Sequence, residues 1–313
     1  MARYLLIGLW EPTSTEDQDP EPDANRTTCA IPDLLGIKFM FNRLRPPTSQ
    51  GVSMSHPIHQ VVLLALLSTC FVGISRVTSA EDFAATKVKI EAALADDDRP
   101  EKDVIRDKNR MPAETLEFFG LRDDMKVVEL LPGGGWYTRV LAPVLRENGN
   151  FSIAYGTGSV EEKVLSTDGF DKVKVTGLDA KIYRPEDTRL FTIEKGALGV
   201  HKADMVLTFR NYHNFDAAGR KAMNDAAFEA LREGGVYGVV DHSRRHMEDD
   251  SSENRRRFDP VKAIMEIQSA GFELLDFASL HFRPDDELRY EVGRRTVSGN
   301  TDRWTLKFKK VSE

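Results

Sequence analysis

Glu129 stands four residues before a run of three glycines, Gly133, Gly134 and Gly135, where the apolar stretch Lys126-Val-Val-Glu-Leu-Leu131 is closed by Pro132. Glycines let the backbone pass very close to a ligand, because no Cβ intervenes and positive φ is free. A helix after such a turn offers unpaired N–H groups and the positive end of its dipole to a carboxylate or phosphate. A carboxylate inside the strand end can face a cationic or amine-bearing ligand. The dinucleotide fingerprint is not met: Thr138 stands where a third Gly or Ala is needed, and Tyr155 ends the next apolar stretch where an acid is needed. The turn therefore suits a ligand with an amino-acid end better than a pyrophosphate.

A second group of polar residues follows two further apolar stretches. Arg210-Asn211-Tyr212-His213-Asn214 comes directly after Asp204-Met-Val-Leu-Thr-Phe209, and Asp241-His242 after Val236-Tyr-Gly-Val-Val240. Polar residues in that position line pockets more readily than cores. Imidazole titrates near neutral pH, so His213 or His242 is a candidate general base for an oxygen or nitrogen nucleophile. The plainer alternative for each is a strand cap or a backbone hydrogen bond. No metal site is expected at His213, Asp241 and His242, since no helical His-x-x-x-His or carboxylate pair supports one.

The elements that must hold these residues alternate. Helices are expected at 112–119, with Pro112 in the first turn and Gly120 past the end, and at 136–145, 216–232 and 260–270. Strands are expected at 126–131, 151–155, 173–175, 204–209 and 236–240, with a final antiparallel pair at 273–280 and 304–309. That order specifies an α/β fold: a doubly wound, Rossmann-like, seven-stranded mixed sheet with an antiparallel C-terminal strand pair and helices on both faces. Ligands of such sheets bind at the carboxyl ends of the strands near the switch in strand order. Residues 243–257, with five arginines flanking Glu248-Asp-Asp250, read as a solvated loop able to act as a lid, and residues 281–302 as a second cover.

Of 313 residues, 41% are apolar and 30% charged, with a net charge of −7, which excludes a wholly disordered chain and gives no basic face for nucleic acid. Residues 1–53 are interrupted by prolines and carry no lasting period, as expected of a disordered upstream extension. Met54 opens a segment whose uncharged run, Val61–Ile74, is short for a bilayer span and ends at Thr78-Ser-Ala80. Residues 54–80 are thus expected to be a signal peptide, or a membrane anchor if uncleaved, ahead of a domain at 81–313 with its core at about 102–313. The expected location is exported, periplasmic or secreted, the alternatives being inner-membrane anchored or cytoplasmic. Both cysteines, Cys29 and Cys70, precede the cleavage point, so thiol catalysis and thiolate metal sites are excluded from the mature chain.

Taken in order, Arg106-Asp-x-x-Arg110, the Glu129–Thr138 segment, Ala203–Asn214, Leu231–His242 and Trp304-Thr-Leu-Lys-Phe resemble class I S-adenosylmethionine-dependent methyltransferases, in a branch that often carries signal peptides. The resemblance spans roughly residues 103–310. It implies S-adenosylmethionine as cofactor, with its methionine end held by Glu129, Gly133, Gly134 and Gly135, its adenine amino group by Asp179, and Asn211 beside them. It implies methyl transfer to a small-molecule oxygen, nitrogen or carbon. Two positions depart from the family pattern: Leu131 replaces the first glycine of the loop, and no acid ends the second strand to hold the ribose. An exported, non-catalytic ligand-binding protein on the same fold is the alternative.

Overall fold

The computed structural model describes residues 78–194 and 196–312, all within one compact unit. The expected upstream extension and all but the last three residues of the expected signal peptide lie outside the described residues. Thr78–Ala80 open the first helix. Among the described residues no helix is long and apolar enough to cross a membrane.

The chain begins with α1 (Thr78–Leu94), two single-turn helices, α2 (Glu101–Val104) and α3 (Asp107–Arg110), and α4 (Pro112–Phe119). Strand β1 (Lys126–Leu130) follows, then α5 (Thr138–Leu145) and β2 (Asn150–Ala154). Next come α6 (Gly158–Val160), a π-turn over Glu161–Leu165, and β3 (Lys174–Thr176). A hairpin of β4 (Lys181–Tyr183) and β5 (Thr192–Glu194) precedes β6 (Ala203–Phe209). The remainder is α7 (Ala217–Ala230), β7 (Leu231–His242), α8 (Pro260–Gln268), β8 (Phe272–Ala278) and β9 (Arg303–Lys310).

The main sheet has seven strands in the order β3-β2-β1-β6-β7-β9-β8. β1 pairs in parallel with β2 on one side and β6 on the other, so the strand order switches between β1 and β6, where their carboxyl ends leave a crevice. β9 runs antiparallel to both β7 and β8. The sheet is the expected one, and its C-terminal pair consists of one reversed strand, β9, inserted between β7 and β8.

Two apolar layers sandwich the sheet, as strands buried on both faces require. Along β1, Val128 and Leu130 point to one layer and Val127 to the other, so alternation puts Glu129 on the Val127 side, among Trp136, Tyr137 and Phe209. The packed part starts before residue 102, because Phe83, Ile90, Ala93 and Leu94 on α1 join that same layer. Ile90 is fully buried, a contribution of about 2–3 kcal/mol. β7 starts at Leu231, earlier than the sequence suggests. Leu231 pairs with Ala203, and Gly234-Gly235 form a bulge before pairing resumes at Met205 and Val236.

Candidate active site

At the carboxyl end of β1 the backbone turns sharply: Leu131, Gly133 and Gly135 all have positive φ (54°, 58° and 79°). The turn opens on a cavity of about 160 Å³ lined by Glu129, Gly133, Gly134, Tyr137, Arg210 and Asn211, among others. A Cβ built on Gly133 or Gly134 meets nothing within 4 Å, so the open side of the turn faces the cavity. Glu129 is 3% exposed, and its Oε2 accepts a hydrogen bond from Thr138 Oγ1 at 2.7 Å. Burial raises its carboxyl to about 7, against the opposing hydrogen bond and the positive charge of Arg110. Asn211 ties the two central strand ends together, its Nδ2 donating to the carbonyls of Leu130 (3.3 Å) and Leu131 (3.0 Å).

Gly135 is turned the other way, with the place of its missing Cβ away from the open side of the turn. Its Cβ would lie 2.6 Å from Val164 Cγ2 and 3.3 Å from Val160 Cγ2, so it is small in order to seat α6 and the π-turn. Asp179, expected at the adenine, is exposed in the turn between β3 and β4 and lines neither the glycine-turn cavity nor the larger one beside it. At the end of β2, Tyr155 has a φ of 65° and sends its hydroxyl 2.5 Å to the carbonyl of Gly196. Beside it the side chains of Leu131 and Ile182 close on Gly156, 3.7 and 3.8 Å from where its Cβ would be.

A larger cavity, about 620 Å³, shares Lys102, Arg106, Arg110 and Arg210 with the first and extends to His213, His242 and Arg303. His213 Nδ1 lies 2.5 Å from Asp241 Oδ1, and its backbone N–H donates to Asp241 Oδ2 at 3.0 Å. Asp241 is fully buried and also accepts from the backbone N–H of His242 at 2.6 Å. A carboxylate on Nδ1 fixes the proton there and leaves Nε2, which has no partner among the described residues, as the basic nitrogen. His242 is different. Its Nδ1 is 2.9 Å from Thr301 Oγ1, and burial among arginines pushes its pKa well below 6.5, so it is neutral at physiological pH. The two rings lie 5.7 Å apart. The structure thus separates two histidines the sequence treats alike. Among the described residues no group of three metal-ligating side chains occurs.

Three further residues of this site are given no role by the sequence, although Arg110 belongs to one of the segments that carry the resemblance. Arg110 is 5% exposed and stacks over Trp136 at 4.4 Å, while its carbonyl receives Thr115 Oγ1 (3.1 Å) and lies 3.0 Å from His281 Nε2. His281 is 1% exposed, also meets Thr305 Oγ1 at 2.7 Å, and is held by burial at about 4, hence neutral. Arg303, at the start of β9, donates from Nη1 to the carbonyl of Asn109 at 2.7 Å. Most of the stretch at 243–257 is exposed, as its charges suggest, but its end is not. Arg257 is 1% exposed and pairs bidentately with buried Asp286 at 2.8 and 2.9 Å, which fastens the first cover to the second.

Neither a protein-family model nor a curated protein matches the chain. Among solved structures it is similar to a SAM-dependent methyltransferase from Aquifex aeolicus (13% identity, 72% of this chain and 98% of that one, TM-score 0.46). It is also similar to the [4+2]-cyclase SpnF (15%, 66% and 81%, TM-score 0.45). A third is the glycopeptide N-methyltransferase MtfA complexed with sinefungin (13%, 66% and 87%, TM-score 0.41).

Proposed function

We propose that the chain is an S-adenosylmethionine-dependent methyltransferase acting on a small-molecule acceptor. The observation that carries this reading is the buried Glu129 carboxyl on the rim of an open glycine turn, beside the cavity that holds the His213–Asp241 pair. Those residues fit the amino-acid end of the cofactor: Glu129 for its ammonium group, and Gly133 and Gly134 for close backbone approach. When bound, the cofactor supplies a sulfonium methyl, whose C–S bond breaks with its electron pair going to sulfur as an acceptor lone pair takes the methyl.

The protein's own part is positioning and proton handling. Arg210 is held at φ 61°, with its backbone N–H donating to the carbonyl of Val240 at 2.7 Å, and so stands where the two cavities meet. His213 Nε2 takes the proton of an acceptor hydroxyl or amine, and Asp241 steadies the imidazolium that forms. Juxtaposition of acceptor and methyl, with preorganised hydrogen-bond donors around them, supplies the rest.

A ligand-binding protein without catalysis is the second reading, favoured by the closure of Leu131 and Ile182 over Gly156 where a ribose would be gripped. Calorimetric titration of the full chain with S-adenosylmethionine, S-adenosylhomocysteine and NAD separates these. Micromolar binding of the first two is expected. NAD binding alone, or silence with all three, would sink the proposal. We also propose that residues 54–80 direct export and are removed; N-terminal sequencing of the protein from its own host should then start at Glu81, and an intact Met1 would contradict it.

A further inference from the structure

Six cationic side chains line the larger cavity, and no carboxylate does. Arg106 and Arg256 are tied to carboxylates at the margin, Asp103 and Glu291, and Lys102 is exposed. Arg110, Arg210 and Arg303 are not: none forms a salt bridge among the described residues. Arg110 and Arg303 are only 5% and 8% exposed. In each of the three a nitrogen is sealed from solvent with no hydrogen-bond partner among the described residues: Nη2 of Arg110, Nε of Arg210 and Nε of Arg303. A small void between Arg110, Arg210 and Arg303, floored by Tyr137 and Phe209, brings the three together.

Such a cluster works against folding. Burial and mutual repulsion lower Arg110 to about 8 and Arg303 to about 10, and shift Arg210 downward as well. Buried charges are ordinarily paired, and an unpaired one costs several kcal/mol. Planar guanidinium forks with spare N–H groups match the geometry of carboxylate and phosphate oxygens. Their surroundings are also those of a ligand site: Asn109, Asn214, Ser298 and Thr301 line the same cavity as His213.

We infer that the larger cavity binds a small ligand through a carboxylate or phosphate oxyanion clasped by Arg110, Arg210 and Arg303. That this ligand is the methyl acceptor rests on the methyltransferase reading; the capture of an oxyanion does not. Arg303 separates the two, since it lines the larger cavity and not the glycine-turn cavity.

The test uses the full chain in thermal-shift and calorimetric titrations with inorganic phosphate and with benzoate, at ionic strength held constant with chloride. One or both oxyanions should bind and raise Tm, and the preferred one names the ligand class. Arg303→Met and Arg210→Met should each weaken that binding at least tenfold while the ligand-free Tm stays level or rises, because repulsion is relieved. Arg303→Met should keep its affinity for S-adenosylhomocysteine. The inference is overturned if neither oxyanion binds, if both variants bind like the parent, or if both lower the ligand-free Tm, which would make the arginines structural. Should Arg303→Met not fold, Arg210→Met, which removes a side chain with no hydrogen bond, decides alone. Oxyanion binding without S-adenosylhomocysteine binding leaves this inference standing and removes the methyltransferase reading; the reverse does the opposite.

Discussion

Glu129 gives the most quantitative handle on the site. Its carboxyl titrates at about 7 when the cavity is empty of charge, and an ammonium group on the ligand needs it ionised. Between pH 7.5 and pH 6 the ionised fraction falls from about three-quarters to about one-tenth, so affinity for S-adenosylhomocysteine should fall roughly eightfold, a little over 1 kcal/mol. His281 and His242 titrate below that window and stay neutral across it. Glu129→Gln should bind at least tenfold more weakly at pH 7.5 and lose the pH dependence. Stability should move the opposite way. A carboxyl raised from 4.5 to about 7 by folding stabilises the folded state only below 4.5, and that support is lost as pH rises to 7. The cost above pH 7 is of order 3 kcal/mol with the Thr138 hydrogen bond already included, so Glu129→Gln should raise the ligand-free Tm at pH 8. Calorimetry at the two pH values and thermal melts read both. Parent binding that is level across the window, or a Glu129→Gln variant with parental affinity, would refute the assignment of this carboxyl to an ammonium group.

The two neighbouring glycines should behave differently. Gly134→Leu enters open space and should fold as the parent while weakening S-adenosylhomocysteine at least tenfold, whereas Gly135→Ala should cost about 1–3 kcal/mol in chemical denaturation, since its Cβ meets Val164 and its φ is positive. His213→Gln should lower turnover by about 10²–10⁴ with cofactor affinity kept, as measured by S-adenosylhomocysteine release once an acceptor is found, and His242→Gln much less, because a neutral buried imidazole is a poor proton acceptor. Arg257→Met should destabilise the protein by about 3–5 kcal/mol, because Asp286 is left buried and unpaired; a melt unchanged from the parent would restore the picture of a free loop.

What could be read from the sequence was whatever is encoded over a short span. β1, the glycine turn and the polar residues after β6 and β7 are each a single apolar run followed by a break, and the seven-stranded mixed sheet, though not its strand order, follows from their alternation. The three-residue strands of the hairpin, β4 and β5, are too short for a period to show. α1 escaped notice because its apolar positions, Phe83, Ile90, Ala93 and Leu94, are diluted by alanine and lysine. The arginine cluster was out of reach for another reason. Arg110, Arg210 and Arg303 are far apart along the chain and meet only because α3, β6 and β9 converge on one cavity. Likewise Arg257 looks like part of a solvated charge run until Asp286 is seen opposite it, and the packing of Val164 against Gly135 has no mark in the sequence.

A crystal structure of the full chain grown with S-adenosylhomocysteine tests the central claim most directly. The account expects the ligand's amine on Glu129, its backbone-side atoms against Gly133 and Gly134, and its sulfur toward the cavity of His213. A ligand bound elsewhere, or crystals that stay empty at saturating concentration with Glu129 still bonded only to Thr138, would contradict it.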